Sequence, residues 1–225
     1  MLKYLILFAL QFISLSVYAL GMQPETSVVV LNQENGEASI SVKNTNDTPS
    51  LLQTSIVDID DSKGTLVLAS PSIVKIDPSE EQLVRLFLQS SSEIKNQQIK
   101  RIRFLGLPAR SESNKDKSEV IVSVSQSIPL IINPAGLKAE AMPWKFLRYT
   151  YDNGRLFISN PSRYVVRLYP EIKVNGKHLS LQKSFISPKQ KIEINYKESP
   201  SEIKIKPVGL YGEIRDEYKI EKADS

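Results

Sequence analysis

Residues 118–137 read SEVIVSVSQSIPLIINPAGL. Val120, Val122 and Val124 share one parity, Ser123 and Ser125 the other, and Ile121 alone breaks the alternation. Such alternation marks a strand with two unlike faces. The strand continues through Ile128, Pro129, Leu130, Ile131 and Ile132 and stops at Asn133-Pro134. A proline removes one ladder donor, so Pro129 places this strand at a sheet edge or a bulge. A long valine-studded edge is an aggregation hazard, and proteins keep one where something is meant to pair with it. An ordinary sandwich strand is the plainer reading of the same residues.

Around this strand the chain has the composition of an exported all-β protein. Lys3, the apolar run 4–12 and Val17-Tyr18-Ala19 fit a secretion signal with cleavage after Ala19. That run is too short for a membrane anchor, and no later segment approaches spanning length, so no stable membrane insertion is expected. The remaining roughly 200 residues suffice for two sandwiches of about 100 each. There is no cysteine, so the fold must rest on its apolar core, and thiolate metal sites and cysteine nucleophiles are excluded. The formal charge of +4 is scattered, without a basic run or aromatic-basic motif, which argues against nucleic acid as a partner.

Helix signals are scarce. Short runs of Val, Ile, Thr and Tyr alternate with Asn, Asp, Gly, Ser and Pro, as in all-β proteins. Strands are expected at 27–32, 38–44, 51–59, 65–69, 73–76, 81–89, 99–107 and 119–132, then at 144–151, 155–159, 164–174, 191–196, 203–207 and 213–220. Asn35-Gly36, Asn153-Gly154 and Asn175-Gly176 supply hairpin turns. Asn133-Pro134-Ala135-Gly136 breaks the pattern after a continuous strand. The expected organisation is a signal peptide at 1–19, one immunoglobulin-like domain at 20–136 and a second at 137–225, set at an angle. Residues 110–119 are polar throughout and read as a loop.

Catalytic chemistry is hard to place. His178 is the only histidine and follows a turn, with no serine and buried carboxylate in a recognisable pattern around it. Asp58, Asp60 and Asp61 are the densest carboxylates, but the calcium-loop spacing is absent, so a polar turn is the simpler reading. No phosphate loop or nucleophile elbow occurs. The sequence points away from an enzyme, a metal or a cofactor.

Four blocks, in order, carry a family resemblance: Val42-Lys43-Asn44 with Pro49-Ser50-Leu51-Leu52-Gln53; Ala69 to Pro78 running on to Leu83-Val84-Arg85-Leu86; Val120 to Pro134; and Leu156 to Val166. Phe185-Ile186-Ser187-Pro188 fits as well. Together they resemble the periplasmic pilus chaperones of the PapD-like superfamily. The resemblance implies a two-domain immunoglobulin-like chaperone in the periplasm. Its partners would be pilus or fimbrial subunits, which lack one strand, and an outer-membrane usher that receives them. It implies that Val120, Val122 and Val124 insert into the subunit, with Ile128 continuing the same parity. The preceding loop is short, as in chaperones of assembled pili.

The chain departs from that pattern at the anchor for the subunit's terminal carboxylate. Val28 and Pro129 stand where the family has an arginine and a lysine. Arg101, Lys138 and Arg163 are the candidate replacements. A family inter-domain ion cluster keeps Arg85, but Gln97 and Asn133 fall where acid and base are usual. The rival class is a surface-fibre subunit or adhesin, for which residues 20–26 are too short and too polar to serve as a donor extension. Cleavage after Ala19 predicts a mature chain beginning at Leu20. Intact-mass measurement of periplasmic material checks this, and a chain retaining residues 1–19 in a membrane fraction contradicts it.

Overall fold

The computed structural model describes residues 21–59, 64–91, 93–108 and 123–223. The signal segment, Val120, Val122, Asp60, Asp61 and the 110–119 loop lie outside them.

The first unit is a sandwich of two sheets. One sheet has the order β1-β3-β7-β5, from Met22–Pro24, Glu37–Asn44, Glu81–Ser90 and Thr65–Ser70. The other has the order β2-β9-β8-β4-β6, from Val29–Asn32, Val124–Asn133, Gln98–Pro108, Ser50–Asp58 and Ile73–Ile76. Alternate residues of each strand point inward, and Ile40, Leu52, Val84, Ile102, Phe104 and Leu130 are fully buried in one core. The chain begins in one sheet as β1, antiparallel to β3, and crosses into the other as β2, parallel to β9.

The second unit pairs a sheet β15-β11-β10-β18 (Lys191–Ile194, Arg155–Ser159, Arg148–Asp152, Glu221–Lys222) with a sheet β13-β12-β16-β17 (Lys177–Ser180, Val166–Val174, Ile203–Pro207, Tyr218–Lys219). β14 (Phe185–Ile186) also pairs with β12. Leu156, Val166, Val174, Ile203 and Ile220 fill its separate core. Both units are immunoglobulin-like sandwiches.

Two expected strands come out differently, and one strand was not expected. Residues 143–146 form a 3-10 turn, with Pro143 in its first turn and Trp144 buried, so the strand starts only at Arg148. Between 208 and 216 the chain folds back on itself, Gly212 taking φ 95°, and only Tyr218–Lys219 pair as β17. β1 was not anticipated, because three residues that include Pro24 carry no periodic signal.

The two sandwiches share one corner. Asn44 and Asn160 are fully buried at the ends of β3 and β11. Asn44 Nδ2 donates to the carbonyls of Thr48 and Ile76, both at 3.0 Å, and its Oδ1 accepts from the N–H of Asn46. Asn160 Nδ2 donates to Tyr164 at 2.7 Å and Ile186 at 3.0 Å, and its Oδ1 accepts from the N–H of Ser162. Each backbone also pairs with a proline turn, through Ser79 (φ 64°) in one domain and Lys189 (φ 61°) in the other. This explains why Ile76-Asp77-Pro78-Ser79 and Ile186-Ser187-Pro188-Lys189 look alike in a chain without an obvious longer repeat. Asn44→Ala or Asn160→Ala leaves one buried and one part-buried carbonyl short of a donor. Each is expected to destabilise its own domain by about 2–4 kcal/mol, read from denaturant unfolding. A loss below about 0.5 kcal/mol contradicts the corner's role.

Candidate functional site: an open strand edge beside an inter-domain cleft

β8 pairs with β9 along nearly its whole length, from Gly106↔Val124 to Gln98↔Ile132. β2 covers the other edge of β9 only from Val29↔Leu130 to Asn32↔Asn133. Residues 124–129 therefore have one edge with no strand hydrogen-bonded to it among the described residues. Val124, Ser125, Gln126 and Ser127 are exposed there, Val124 at 43%. Ile128, expected to insert into a partner, does not stay available. It is 8% exposed and packs with Leu130 and Ile132 inside the first domain's own core. The even parity of β9 thus leaves the core between Ile128 and Val124, and on that parity only residues before Ile128 offer side chains outward.

The far end of β9 meets the second domain. Val28, Ile99 and Ile131 pack with Val165, flanked by Ile59 and Phe185. Val28, at a position where the resemblance implied a cation, is 3% exposed in this apolar seam, which would strand an unpaired charge. Neutral amides run beside the seam. Asn133 Nδ2 donates to Asn32 Oδ1 at 2.9 Å, Gln97 Nε2 to Asn133 Oδ1 at 2.8 Å, and the Val165 N–H to Gln97 Oε1 at 2.8 Å. The Gln97 N–H reaches the Arg163 carbonyl at 2.9 Å. Gln97 and Asn133 thus join the two domains without charge. Arg85 takes no part in that relay. Its guanidinium bonds Glu37 at 2.8 Å and lies over the Phe87 ring, all on the outer face of the first domain.

The three candidate anchors separate cleanly. Arg163 donates through Nε to the Lys95 carbonyl at 2.8 Å, so its guanidinium fastens one domain to the other. Lys138 is exposed, and its backbone carbonyl accepts the Tyr164 hydroxyl at 2.9 Å. Arg101 lines a cleft of 250 Å³ between the domains, beside Pro129, and donates to the Ser127 carbonyl of β9 at 3.2 Å. Arg167, missed in the sequence, lines the same cleft. Burial, and after it the like charge of Arg101, lower the Arg167 pKa below its ordinary value, while Glu213 opposes them. Arg167 was hidden because its parity on β12 reads as an outward, solvated face until a second domain is set against it.

Two arginines and an open β edge at one cleft suit a polypeptide that ends in a carboxylate. The family model for the pili and flagellar-assembly chaperone, PapD N-terminal domain, matches residues 21–138, just over half of the chain. The chain belongs to the PapD-like family of pilus-assembly chaperones. A fimbrial chaperone of Escherichia coli K12, YhcA, itself uncharacterized, is 38% identical over 178 residues, covering 78% of each chain. The probable fimbrial chaperone LpfB of E. coli O157:H7 is 26% identical over 163 residues, 71% of this chain and 70% of its own. Among solved structures, a chain from the Salmonella enterica SafA pilin in complex with the SafB chaperone superposes with a TM-score of 0.73 at 17% identity, covering 91% of this chain and 97% of that one. The E. coli chaperone DraB gives 0.72 at 20% identity, with the same coverage.

The chaperone family is not an enzyme class. His178 is exposed, its Nδ1 2.7 Å from Glu171 across a strand pair. Asp58 pairs with the buried ammonium of Lys100. Among the described residues no cluster of His, Cys, Asp or Glu is placed to hold a metal.

An inter-domain relay without ion pairs has a measurable consequence. Spin labels on the two domains are expected to give a distance distribution that does not change between about 0.05 and 1 M salt, since no ion pair sets the relay. Gln97→Ala, which removes bonds to both Asn133 and Val165, is expected to broaden it. A salt-dependent wild-type distribution contradicts a junction set by the amide relay.

Proposed function

We propose that this chain is a periplasmic chaperone that lends β9 to pilus or fimbrial subunits as their missing strand and passes them to an outer-membrane usher. The observation that carries the reading is the uncovered edge at residues 124–129. Backbone pairing along that edge completes a client sheet, while Val124 and the valines before it enter the client's apolar groove. The SafA–SafB complex, in which a related fold holds a pilin, supports the same role here. Residues 20–136 and 137–225 are taken as the two domains of the mature chain.

Arg101, with Arg167 across the cleft, is the anchor for the client's terminal carboxylate. Two cations held near one another inside a half-buried cleft gain when an anion comes between them. Arg101 is on β8, directly opposite Pro129 of β9, so a basic side chain supplied by the neighbouring strand stands beside the position where the family's lysine is missing. A fibre subunit or adhesin that pairs through the same edge is the competing reading. The two-domain match to fimbrial chaperones over 78% of the chain favours the chaperone.

Two substitutions test the reading. Val124→Asp is expected to leave the free protein folded, because the side chain is hydrated there, and to abolish protection of the client from degradation. An unpartnered charge in an apolar groove loses about a few kcal/mol. Arg101→Ala is expected to weaken affinity for the subunit co-purified from the periplasm at least about tenfold. Full protection by the first variant refutes strand lending by this part of β9, and unchanged affinity in the second refutes the anchor.

A further inference from the structure

The turn after β16 exposes apolar side chains although its backbone is firmly held. Leu210, Tyr211 and Ile214 are 44%, 67% and 58% exposed. Val208 and Ile214 bridge, the Gly209 N–H donates to the Glu213 carbonyl at 2.8 Å, and the Gly212 N–H to the Gly209 carbonyl at 3.1 Å. The Glu213 carboxylate accepts from the Tyr211 N–H at 3.1 Å and from Arg215. A Cβ on Gly209 would fall 2.0 Å from that carboxylate, so a side chain there would displace Glu213 from its bonds to the turn. Arg167 donates to the carbonyls of Gly209 and Leu210, and Ser27 of the first domain to that of Tyr211 at 2.7 Å. A rigid segment that keeps large apolar side chains in water is built to meet something.

The two sides of this hairpin face different spaces. Ile214 lines the 250 Å³ cleft together with Arg101, Arg167, Pro129 and Phe185. Tyr211 lines a separate 500 Å³ hollow near Trp144. Arg167 borders both. The smaller cleft therefore joins two cations to an apolar wall, and it has room for about one large side chain.

We propose that the hairpin 208–214 is a specificity element: Ile214, with Phe185, forms a pocket that selects a large apolar side chain at the carboxylate end of the client polypeptide. The occupant follows from continuity. A chain end whose carboxylate lies between Arg101 and Arg167 brings its last side chain against Ile214. Arg167 serves both tasks, since it faces the carboxylate and fixes the hairpin through two carbonyls. The inference rests on the chaperone reading of the cleft and adds to it a preference among clients.

The test uses the full mature chain and synthetic acetylated hexapeptides of alternating serine and valine. One ends in phenylalanine with a free carboxylate, one in phenylalanine amide, and one in serine with a free carboxylate. NMR titration gives the affinities. The wild type is expected to bind the phenylalanine acid at least about tenfold more tightly than the serine acid, as burial of a large apolar side chain requires. Ile214→Ser, an exposed substitution, should bring the two within about threefold while keeping the preference for acid over amide. Tyr211→Ser should leave the apolar preference intact.

The pocket is refuted if the wild type does not bind the phenylalanine acid or does not prefer it. It is equally refuted if Ile214→Ser retains the full preference or if Tyr211→Ser removes it. Concentration-dependent dimerisation abolished by Ile214→Ser would assign the wall to a second copy of this chain and also overturn the proposal. Equal binding of acid and amide, with the apolar preference intact, would count against the arginine anchor alone.

Discussion

Everything distinctive in this molecule follows from where β2 begins. The chain enters the first domain in one sheet as β1 and crosses to the other as β2, and its parallel pairing with β9 begins only at Val29↔Leu130. Six residues of β9 before that point keep backbone groups that no strand of the described chain satisfies. An edge of that length beside exposed apolar residues is unstable in isolation towards pairing with whatever strand it meets. The fold contains this hazard by covering one side of β9 completely with β8 and by burying its even-parity side chains from Ile128 onward. The exposed portion is thereby held straight and in register by the buried portion, which is what a strand needs in order to serve as a template for a foreign one.

The junction between domains extends the same arrangement. β9 runs directly into it, since Ile131 and Asn133 at its end belong to the seam with Val165 and to the amide relay through Gln97. The cleft lies where the seam opens, and Arg101 connects it to β9 through the Ser127 carbonyl. The relay at the junction is built from the neutral amides of Gln97, Asn133 and Asn32 and contributes no carboxylate of its own. Within the cleft, burial and the like charge of Arg101 act against the charged form of Arg167, with Glu213 opposing them, so an incoming anion meets favourable charge.

Much of this was legible in the chain itself. The proline at 129 and the Asn-Pro stop point to a strand with an open edge, which the structure leaves open only at residues 124–129 before β2 covers it. The turn residues mark most of the sandwich. Val120 and Val122 of the alternation lie outside the described residues. Periodicity reports which face of a strand is apolar, but it does not report where along the strand the protein's own core ends, so Ile128 and Val124 look equivalent while only one is buried. Arg85 looked like a junction residue because its neighbours in sequence resemble the family, yet Glu37 opposite it on β3 holds it on an outer face. Arg167 and Ile214 carried no signal at all, because their importance arises from two domains meeting. The strand expected at 213–220 failed for a local reason: Gly209 and Gly212 turn the chain back before a ladder can form.

The most direct measurement of the central claim is amide hydrogen exchange on the chaperone alone and on its complex with the client subunit co-purified from the periplasm. In the free protein, amides of residues 124–128 that face away from β8 should exchange rapidly, while those of 130–133, flanked by β2 and β8, should be slow. Client binding should slow the first group strongly and leave the second nearly unchanged. Protection that instead spares 124–128 in the complex, or an edge already slow in the free monomer, would contradict strand lending by β9.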